Sequence, residues 1–458
     1  MQHAPRTGRY RYLIFFSVFI LALINYIDRG AIAFASTAIT GEFGFDKAAW
    51  GSILGFFGYG YMFGALFGGM AVDRIGARRL WLVTGIAWSA FEILTAFAGE
   101  IGLAIMGGSA LAGFAVIRIA FGFTEGPAYS VINKTISRWS PGQERGWALS
   151  LALLSSPLGA MLTAPVAVGL LSWTGSWRTA FIVLGVTSLV ALLAIMRYFT
   201  SGPEENPRVS AGELAYIQGD ARTAAPPSRP AAAAGAWRRF FSNPTLVCNA
   251  LGYFAYDYVI FLLLTWTPKY LHDQFNFDLG SLWYVGMIPW VGACVAILVG
   301  GRLSDWLLRR TGSFFVGRSC LAAASLLLTA VFFWMMTRVS SSAAVIALMA
   351  LANTFSTLPN SIYWAVIIDS VPADQVGAFS GITHCIANTG AIIAPTLAGY
   401  LASAYGYPAI FTGAAVVAFL AMIAMLAVRP GGQTPRPGRA YWPDIAGGNP
   451  PRAGSRNG

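Results

Sequence analysis

Four charged residues lie inside apolar stretches of this chain, where charge is costly. Asp28 and Arg29 are adjacent within the apolar segment 12–36, and Arg118 and Glu125 lie seven residues apart in another apolar segment. Seven residues make about two helical turns, so Arg118 and Glu125 share one helix face. A charge near the centre of a bilayer costs a few kcal/mol or more, and such residues usually face a protein interior or a water-filled cavity. The two pairs therefore predict a polar cavity within a membrane.

The types of these residues indicate the chemistry of the cavity. A guanidinium group binds a carboxylate through two parallel hydrogen bonds. Burial favours a neutral carboxyl group while a neighbouring arginine favours the ionised one, so such acids can titrate near working pH. We expect protonation of Asp28 and Glu125 to free Arg29 and Arg118 for an organic anion. The alternative is two buried ion pairs that only join helices, although buried pairs are weak evidence for stability.

The composition excludes a soluble protein. Of the 458 residues, 56% are hydrophobic and 11% are charged, whereas a soluble domain carries about 25% charged residues. The net charge of +11 comes from basic residues in short loops between apolar segments. That distribution is typical of cytoplasmic loops in membrane proteins and argues against nucleic-acid binding. The first apolar segment is too long for a signal-peptide core and carries a charged pair, so we expect no cleavage there.

No pattern in the sequence predicts an enzyme, a cofactor or a metal site. The four cysteines lack metal-ligand spacing and are expected to be small core residues. A glycine-rich phosphate-binding loop ending in Gly-Lys-Ser/Thr is absent from the sequence, so ATP-driven pumping has no support. The three histidines lie far apart, and no nucleophile, base and orienting group occur together.

The apolar runs predict an all-α membrane protein with twelve transmembrane helices in two six-helix bundles. The predicted spans are 12–36, 48–70, 80–98, 103–130, 148–171, 179–198, 246–271, 282–301, 317–337, 343–368, 378–402 and 409–428. The predicted units are an N-terminal bundle (1–199), a cytoplasmic linker (200–243), a C-terminal bundle (244–430) and a disordered cytoplasmic tail (431–458).

The distribution of Lys and Arg predicts the inner (plasma) membrane with both termini in the cytoplasm. The loops after the second and eighth spans form an internal repeat, with Asp73 and Asp305 at matching positions. Two such repeats indicate a secondary transporter with its site between the halves. We expect Asp73, Arg74, Arg78 and Asp305 to act as a cytoplasmic gate; the alternative is that these charges only set the topology.

Small residues recur along the second predicted span. Glycines four or five apart allow helices to approach closely, and the same surface could also rock during transport. These glycines are Gly51, Gly55, Gly60, Gly64 and Gly68.

At these loops and charged spans the sequence resembles the major facilitator superfamily and, within it, the anion:cation symporter family of organic anion transporters. The superfamily loop is Gly68-Gly69-Met70-Ala71-Val72-Asp73-Arg74-Ile75-Gly76-Ala77-Arg78-Arg79. The family stretches are Asn25-Tyr26-Ile27-Asp28-Arg29, Arg118-Ile119-Ala120-Phe121-Gly122-Phe123-Thr124-Glu125-Gly126-Pro127 and Trp139-Ser140-Pro141-Gly142-Gln143-Glu144-Arg145.

The resemblance implies roles for individual residues. It makes Asp28 and Glu125 the proton-titrating groups, and it makes Arg29 and Arg118 the ligands of the substrate carboxylate. Further residues that line the site by this resemblance are Tyr26, Tyr61 and Trp364.

The sequence departs from the family pattern at several positions. A glutamine usual in the fifth span is replaced around Ser156, and an asparagine usual in the eleventh falls at His384, with Asn388 retained four residues later. We expect Ser156, His384 and Asn388 to contact substrate. Glu92 in the third span and Asp257 in the seventh are unusual acids whose roles the sequence leaves open.

Together these features predict a secondary active transporter that imports a small organic anion with protons by alternating access. Its partners would be the anion, protons and the lipid bilayer, and we expect a monomer. A sugar acid, a short dicarboxylate and an aromatic carboxylate all fit two arginines; the aromatic residues near Asp257 and the missing glutamine lean slightly away from a sugar acid. The alternatives are an anion exchanger or uncoupled facilitator and, more remotely, a non-transporting membrane substrate sensor.

Overall fold

The computed structural model describes residues 8–219, 235–371 and 375–429, and all of their regular structure is helical. The first half and the linker contain α1 (Tyr10–Phe34), α2 (Ser36–Phe43), α3 (Lys47–Ile75), α4 (Ala77–Thr95), α5 (Ala98–Ile105), α6 (Ala110–Glu125), α7 (Ala128–Trp139), α8 (Gly142–Thr174), α9 (Trp177–Met196), α10 (Ala211–Gly219) and α11 (Ala236–Phe241). The second half contains α12 (Pro244–Phe275), α13 (Leu279–Val285), α14 (Ile288–Thr311), α15 (Leu321–Met336), α16 (Ser342–Thr357), α17 (Asn360–Ser370), α18 (Val376–Tyr405) and α19 (Tyr407–Leu426).

Ten helical segments of the described residues are long and apolar enough to cross a membrane, and α4 with α5, bent by 76°, makes eleven if that pair is counted as one broken span. The one remaining predicted span, 103–130, is the fourth along the chain and corresponds mainly to α6 and the start of α7. These helices have 16 and 12 residues and are separated at Gly126 and Pro127, so each is too short to cross a membrane alone. Large apolar side chains such as Phe16, Phe67 and Leu420 are exposed on the outside, as expected for a lipid-facing surface. The predicted all-α membrane fold is confirmed.

Several helices extend beyond the predicted apolar segments. α3 begins after Asp46, whose Oδ1 accepts a hydrogen bond from Ala49 N at 2.7 Å, and continues to Ile75. α12 continues through Pro268 to Phe275. Hydropathy detects only the part of a helix that a membrane would cover, whereas the backbone stays helical through its polar ends.

Helices of the same half make most of the helix–helix contacts. In the first half α1 packs on α8, α3 on α6, and α4 on both α6 and α9; in the second half α12 packs on α18 and α19, and α14 and α15 pack on α16. The halves meet mainly where α3 contacts α18, α8 contacts α13 and α14, and α1 contacts α12. A site between the halves is therefore bounded by α1, α3, α12 and α18.

The glycines of α3 serve two different contacts. Gly51 and Gly58 lie against α18 of the other half: a Cβ on Gly58 would stand 2.7 Å from the backbone carbon of Ala391. Further along α3, Gly60 and Gly64 lie against the backbone of α6 in the same half. The predicted glycine stripe is thus divided between the inter-half contact and packing within the first half.

Part of the predicted linker is helical and docked on the first half. Glu213 of α10 is buried and accepts hydrogen bonds from the backbone N–H groups of Tyr10 and Arg11 at 3.1 and 3.0 Å. The Arg11 side chain joins Glu213 to Glu144 of α8, with 3.2 and 2.8 Å between charged atoms. The linker residues 220–234 and the predicted disordered tail, 431–458, lie outside the described residues.

Candidate functional site

Arg29 of α1 and Glu125 of α6 form the central ion pair of the site. Arg29 Nε and Nη2 lie 3.2 and 3.1 Å from Glu125 Oε2, and Nη2 also donates to Asn25 Oδ1 at 3.0 Å. The pair joins two helices, whereas the sequence suggested one opposite-charge pair on each helix. Two of the predicted site residues are therefore in direct contact, and each would have to change partner to bind a ligand.

Aromatic rings hold the Arg29 guanidinium in place. Its central carbon lies 4.6 Å from the ring centre of Tyr26 and 4.4 Å from that of Tyr61. Phe57 of α3 and Phe261 of α12 contribute rings at 4.9 and 5.7 Å. Cation–π contacts of this kind contribute about 2 kcal/mol when desolvated. Tyr26 and Tyr61, both predicted site residues, therefore flank the arginine. Phe261 provides a contact between Arg29 and the second half.

Asp28 faces away from Arg29 despite being its neighbour in sequence. Its Oδ2 accepts hydrogen bonds from Ser188 Oγ at 2.6 Å and from Trp88 Nε1 at 3.2 Å. These partners belong to α9 and α4, and Asp28 is buried. The hydrogen bonds support the ionised carboxylate without a cation.

Arg118 of α6 is buried without a hydrogen-bond partner on two of its nitrogens, Nε and Nη1. Its guanidinium carbon lies 5.1 and 5.3 Å from the ring centres of Phe57 and Phe121. Glu125, two turns along the same helix, pairs with Arg29 instead. Arg118 therefore offers free donors beside the Arg29–Glu125 pair, as a carboxylate-binding group requires.

Glu92 is a member of this charged group that the sequence did not assign. It is fully buried on α4, and neither of its carboxylate oxygens has a hydrogen-bond partner. It is close enough to interact electrostatically with Asp28, Arg118 and Glu125. The sequence feature that could have assigned Glu92 to the site is its position four residues after Trp88, which places both residues on the same face of one helix.

The second half supplies an aromatic wall that includes predicted site residues. Trp364 packs on Tyr253 with ring centres 5.4 Å apart, and Tyr253 Oη lies 3.5 Å from His384 Nδ1. Asn388 donates from Nδ2 to the backbone oxygen of His384 at 2.8 Å. Trp364 and His384 therefore lie around Tyr253, and Asn388 lies one helical turn from His384 on α18.

Asp257 and Ser156 connect this wall with the first half. Asp257 of α12 is buried, and Arg29 is the cation that acts on it electrostatically. Ser156 of α8 is buried and interacts with Tyr256 of α12. The predicted contact residues of both halves thus border one region between α1, α8, α12 and α18.

The predicted gate residues lie on other helices: Asp73 and Arg74 near the end of α3, Arg78 near the start of α4, and Asp305 in α14. Asp73 pairs with Lys134 at 2.7 Å, and Arg78 donates from Nη2 to the backbone oxygen of Met196 at 2.8 Å. Arg74 is exposed. Asp305 pairs with Arg318, 2.8 Å away, which also contacts Asp369. Each of these contacts lies within one half, and the gating role stays a prediction.

Within the ranges that the structure describes, no three His, Cys, Asp or Glu side chains are placed to hold a metal ion. The charged group described above can bind an anion through arginine and exchange protons through carboxyl groups.

The chain matches the model of the Major Facilitator Superfamily over residues 18–382 and 315–448. It is 30% identical to the hexuronate transporter of Bacillus subtilis over 414 residues, which cover 90% of this chain and 92% of that protein. It is also 30% identical to the probable sulfoacetate transporter SauU of Cupriavidus necator, with 88% and 91% covered. The probable galactarate/D-glucarate transporter GarP of Escherichia coli is 27% identical, with 91% and 94% covered.

A solved structure of a bacterial homolog of the human lysosomal transporter Spinster, inward-facing and unoccupied, has the same fold. Its TM-score is 0.71 at 16% sequence identity, with 93% of this chain and 100% of the other covered. The extent of the family match and the similarity to the transporters agree with the helical architecture described above. The chain therefore belongs to the Major Facilitator Superfamily and is a multi-pass membrane transporter.

Proposed function

We propose that this transporter imports a sugar acid or a closely related organic anion together with protons by alternating access. The observation that carries the proposal is the arrangement of its two buried arginines: Arg29 is paired with Glu125, while Arg118 beside them has free donors. An anion that enters this region meets one arginine ready for it and one that a carboxylate occupies.

Proton coupling follows from that competition. Protonation of Glu125 removes its negative charge, so Arg29 becomes available to a substrate carboxylate. Asp28 is the second proton-carrying group, held by Ser188 and Trp88, and its protonation lowers the negative charge that opposes an incoming anion. Release of substrate on the other side restores the Arg29–Glu125 pair as Glu125 loses its proton.

The names of the relatives and the polar groups of the second half support a hydroxylated substrate. Two of the relatives are named for sugar acids, a hexuronate and galactarate or D-glucarate, which weighs against the slight lean away from sugar acids that the sequence suggested. Asp257, His384 and Asn388 can exchange hydrogen bonds with hydroxyl groups of an anion whose carboxylate is held by the arginines. We place Tyr26, Tyr61, Ser156 and Trp364 around the remainder of the substrate.

We further propose that the protein acts in the inner membrane with both termini in the cytoplasm. In this orientation the contact of Gly51 and Gly58 with α18 closes the outer end, and the gate residues Asp73 and Asp305 face the cytoplasm. Contacts of the gate residues within single halves fit a conformation that is open on the cytoplasmic side. The two six-helix bundles would rock about the site between them.

The decisive experiment is uptake into proteoliposomes with an imposed pH gradient, acidic outside. The panel contains a hexuronate, D-galactonate, D-glucarate, sulfoacetate, a short dicarboxylate and an aromatic carboxylate, each radiolabelled. We expect a sugar acid to accumulate above equilibrium and a protonophore to abolish the accumulation. Uptake that only equilibrates, whatever the gradient, would establish the facilitator or exchanger alternative and reduce Asp28 and Glu125 to structural charges.

A further inference from the structure

Glu92 stands out because nothing in the proposed cycle uses it. Its side chain is 0% exposed, and both of its oxygens lack hydrogen-bond partners. A buried carboxylate without partners is costly, and acids inside membrane helices usually act in function. The groups around Glu92 should therefore show why a carboxyl group is placed at this buried position.

The face of α4 that carries Glu92 turns toward the site. Trp88, one helical turn before Glu92, donates its indole N–H to Asp28 of α1. The same helix packs on α6, which carries Arg118. Glu92 and Glu125 are the acids that act electrostatically on Arg118. Nε and Nη1 of Arg118 and both oxygens of Glu92 have no hydrogen-bond partner, so these are two buried groups of opposite charge that are not in direct hydrogen-bond contact with each other.

The charges of the group do not balance without a proton. The acids are Asp28, Glu92, Glu125 and, on the other side of Arg29, Asp257, and the cations are Arg29 and Arg118, so full ionisation leaves two excess negative charges. Glu92 interacts electrostatically with Asp28 of α1 and with Arg118 and Glu125 of α6. α9 also packs on α4; its Ser188, which holds Asp28, is uncharged, and its Arg178 pairs with Glu42 and Glu100. The charged residues of α3 and α7, which pack on α4 too, are partly or fully exposed: Lys47, Asp73, Arg74, Lys134 and Arg138.

We propose that Glu92 is the internal counter-charge of Arg118, which it neutralises while no substrate is bound and from which a substrate carboxylate displaces it. This inference rests on the proposed role of Arg118 in binding the substrate. On displacement the Glu92 carboxylate takes up one proton from the side that supplies the anion. It releases that proton on the other side, when the substrate leaves and Glu92 again balances Arg118.

A counter-charge for Arg118 matters most in the step in which the empty transporter returns to its starting conformation. An uncompensated buried guanidinium opposes movement through a closed, dehydrated conformation, because its charge would be buried without a partner. Glu92 would supply the balancing charge in the return step, whereas the substrate supplies it in the loaded step. Glu92 should therefore matter for net uptake and not for exchange, in which the transporter always moves with substrate.

The test compares net uptake with counterflow exchange for Glu92→Gln in proteoliposomes. We expect net uptake to fall at least about tenfold, while exchange stays within about twofold of the unaltered protein, because only the return step leaves Arg118 uncompensated. Ser89→Ala is the matched control, since Ser89 is equally buried on the same helix and donates only to Gly85 of its own backbone. Equal loss of both modes in a folded Glu92→Gln protein, or no change in either, would overturn the proposal.

A binding measurement gives a second readout without transport. Calorimetry of anion binding in buffers of different ionisation enthalpy counts the protons taken up per anion, and we expect Glu92→Gln to lower that count by about one. An unchanged count would contradict the displacement step. If Glu92→Gln does not fold, Glu92→Asp takes its place. We expect its ratio of net uptake to exchange to lie between that of the unaltered protein and that predicted for Glu92→Gln; a ratio equal to that of the unaltered protein would reject the inference. Absence of anion binding by the unaltered protein would refute the proposed function instead.

Discussion

Arg29 and Glu125, 96 positions apart in the chain, form an ion pair of 3.1 Å between side chains that are 2% and 0% exposed. The pair connects a guanidinium suited to a substrate carboxylate with an acid suited to a proton. Each partner can leave the pair only if its charge is replaced or removed, since an isolated buried charge is costly. The ion pair therefore supports the proposed coupling of anion binding at Arg29 to proton binding at Glu125.

Glu125→Gln is expected to abolish proton-driven accumulation and to preserve counterflow exchange. The amide cannot take up a proton, and it no longer holds Arg29 with a full charge, so anion binding loses its dependence on protonation. The measurement is uptake with and without a pH gradient, compared with exchange under equal pH. Glu205→Gln is the control, because Glu205 is an exposed carboxylate outside the site. Full accumulation by Glu125→Gln would remove Glu125 from the coupling mechanism.

Arg118→Lys should weaken anion binding by about tenfold or more, although the positive charge is kept. A guanidinium presents two parallel donors to a carboxylate, and an ammonium group cannot reproduce that geometry. The dissociation constant from calorimetry and the KM of uptake should both rise. Arg302→Lys, at an exposed position of α14, provides the control. Equal affinity of Arg118→Lys and the unaltered protein would show that Arg118 acts only through its charge.

The sequence predicted which charged residues lie within the membrane but not which of them pair. Asp28 and Arg29 are neighbours in the chain, yet consecutive residues on a helix point about 100° apart, so one faces α4 and α9 and the other faces α6. The partner of each side chain depends on how the helices are rotated and packed, which hydropathy does not report. Glu92 was recognised as unusual, but the packing of its helix on α6, which carries Arg118, was not predictable from the sequence.

For the fold as well, the sequence predicted the main elements but not the contacts between distant segments. Apolar length located the spans, and the matching loops around Asp73 and Asp305 indicated two related halves. The separation of α6 from α7 at Gly126 and Pro127 and the docking of α10 through Glu213 were not predicted. Both depend on local backbone geometry and on polar contacts between segments distant in sequence, which composition and periodicity do not encode.

Loss of the Arg178–Glu42 pair is expected to destabilise the first half slightly, and only above acidic pH. Hydrogen bonds from Arg178 hold the pKa of the Glu42 carboxyl below its usual value of 4.5. Because the folded-state pKa is lowered, the stabilisation is fully present above pH 4.5 and is lost as the pH falls through the folded pKa. Glu42 is 39% exposed, so its contribution is screened and stays below about 1 kcal/mol.

The measurement is the thermal unfolding midpoint of detergent-solubilised protein across pH. At pH 7 we expect Arg178→Gln to lower the midpoint by about 2 °C or less. The difference from the unaltered protein should shrink toward zero as the pH falls through the lowered pKa of Glu42, because the carboxyl group is then protonated in both proteins. Arg302→Gln should give a difference that does not vary with pH. A constant difference for Arg178→Gln as well would mean that packing of Arg178, rather than its charge, stabilises this end.

Gly58→Ala should shift the transporter away from the conformation described above. A Cβ at this position would stand 2.7 Å from the carbonyl carbon of Ala391 and from the nitrogen of Ile392, which are backbone atoms of α18 and cannot rotate away. Overpacking of this kind costs about 1–3 kcal/mol, which changes the ratio of two conformations by roughly fivefold to 150-fold. The closed contact between α3 and α18 should therefore become the minor state, and net uptake should fall because each cycle must form it.

Distances between spin labels measure this shift directly. Labels on cysteines introduced at Gly41 and Ala404, both exposed at the end where α3 meets α18, should move apart in Gly58→Ala, in a background without the native cysteines. Gly69→Ala on the same helix is the matched control, since its Cβ would come no nearer than 3.8 Å to Ser130 Oγ. If Gly58→Ala keeps the control's distance distribution and uptake rate, the α3–α18 contact is not part of the transport cycle. If the labels separate while uptake is unchanged, formation of that contact does not limit the rate.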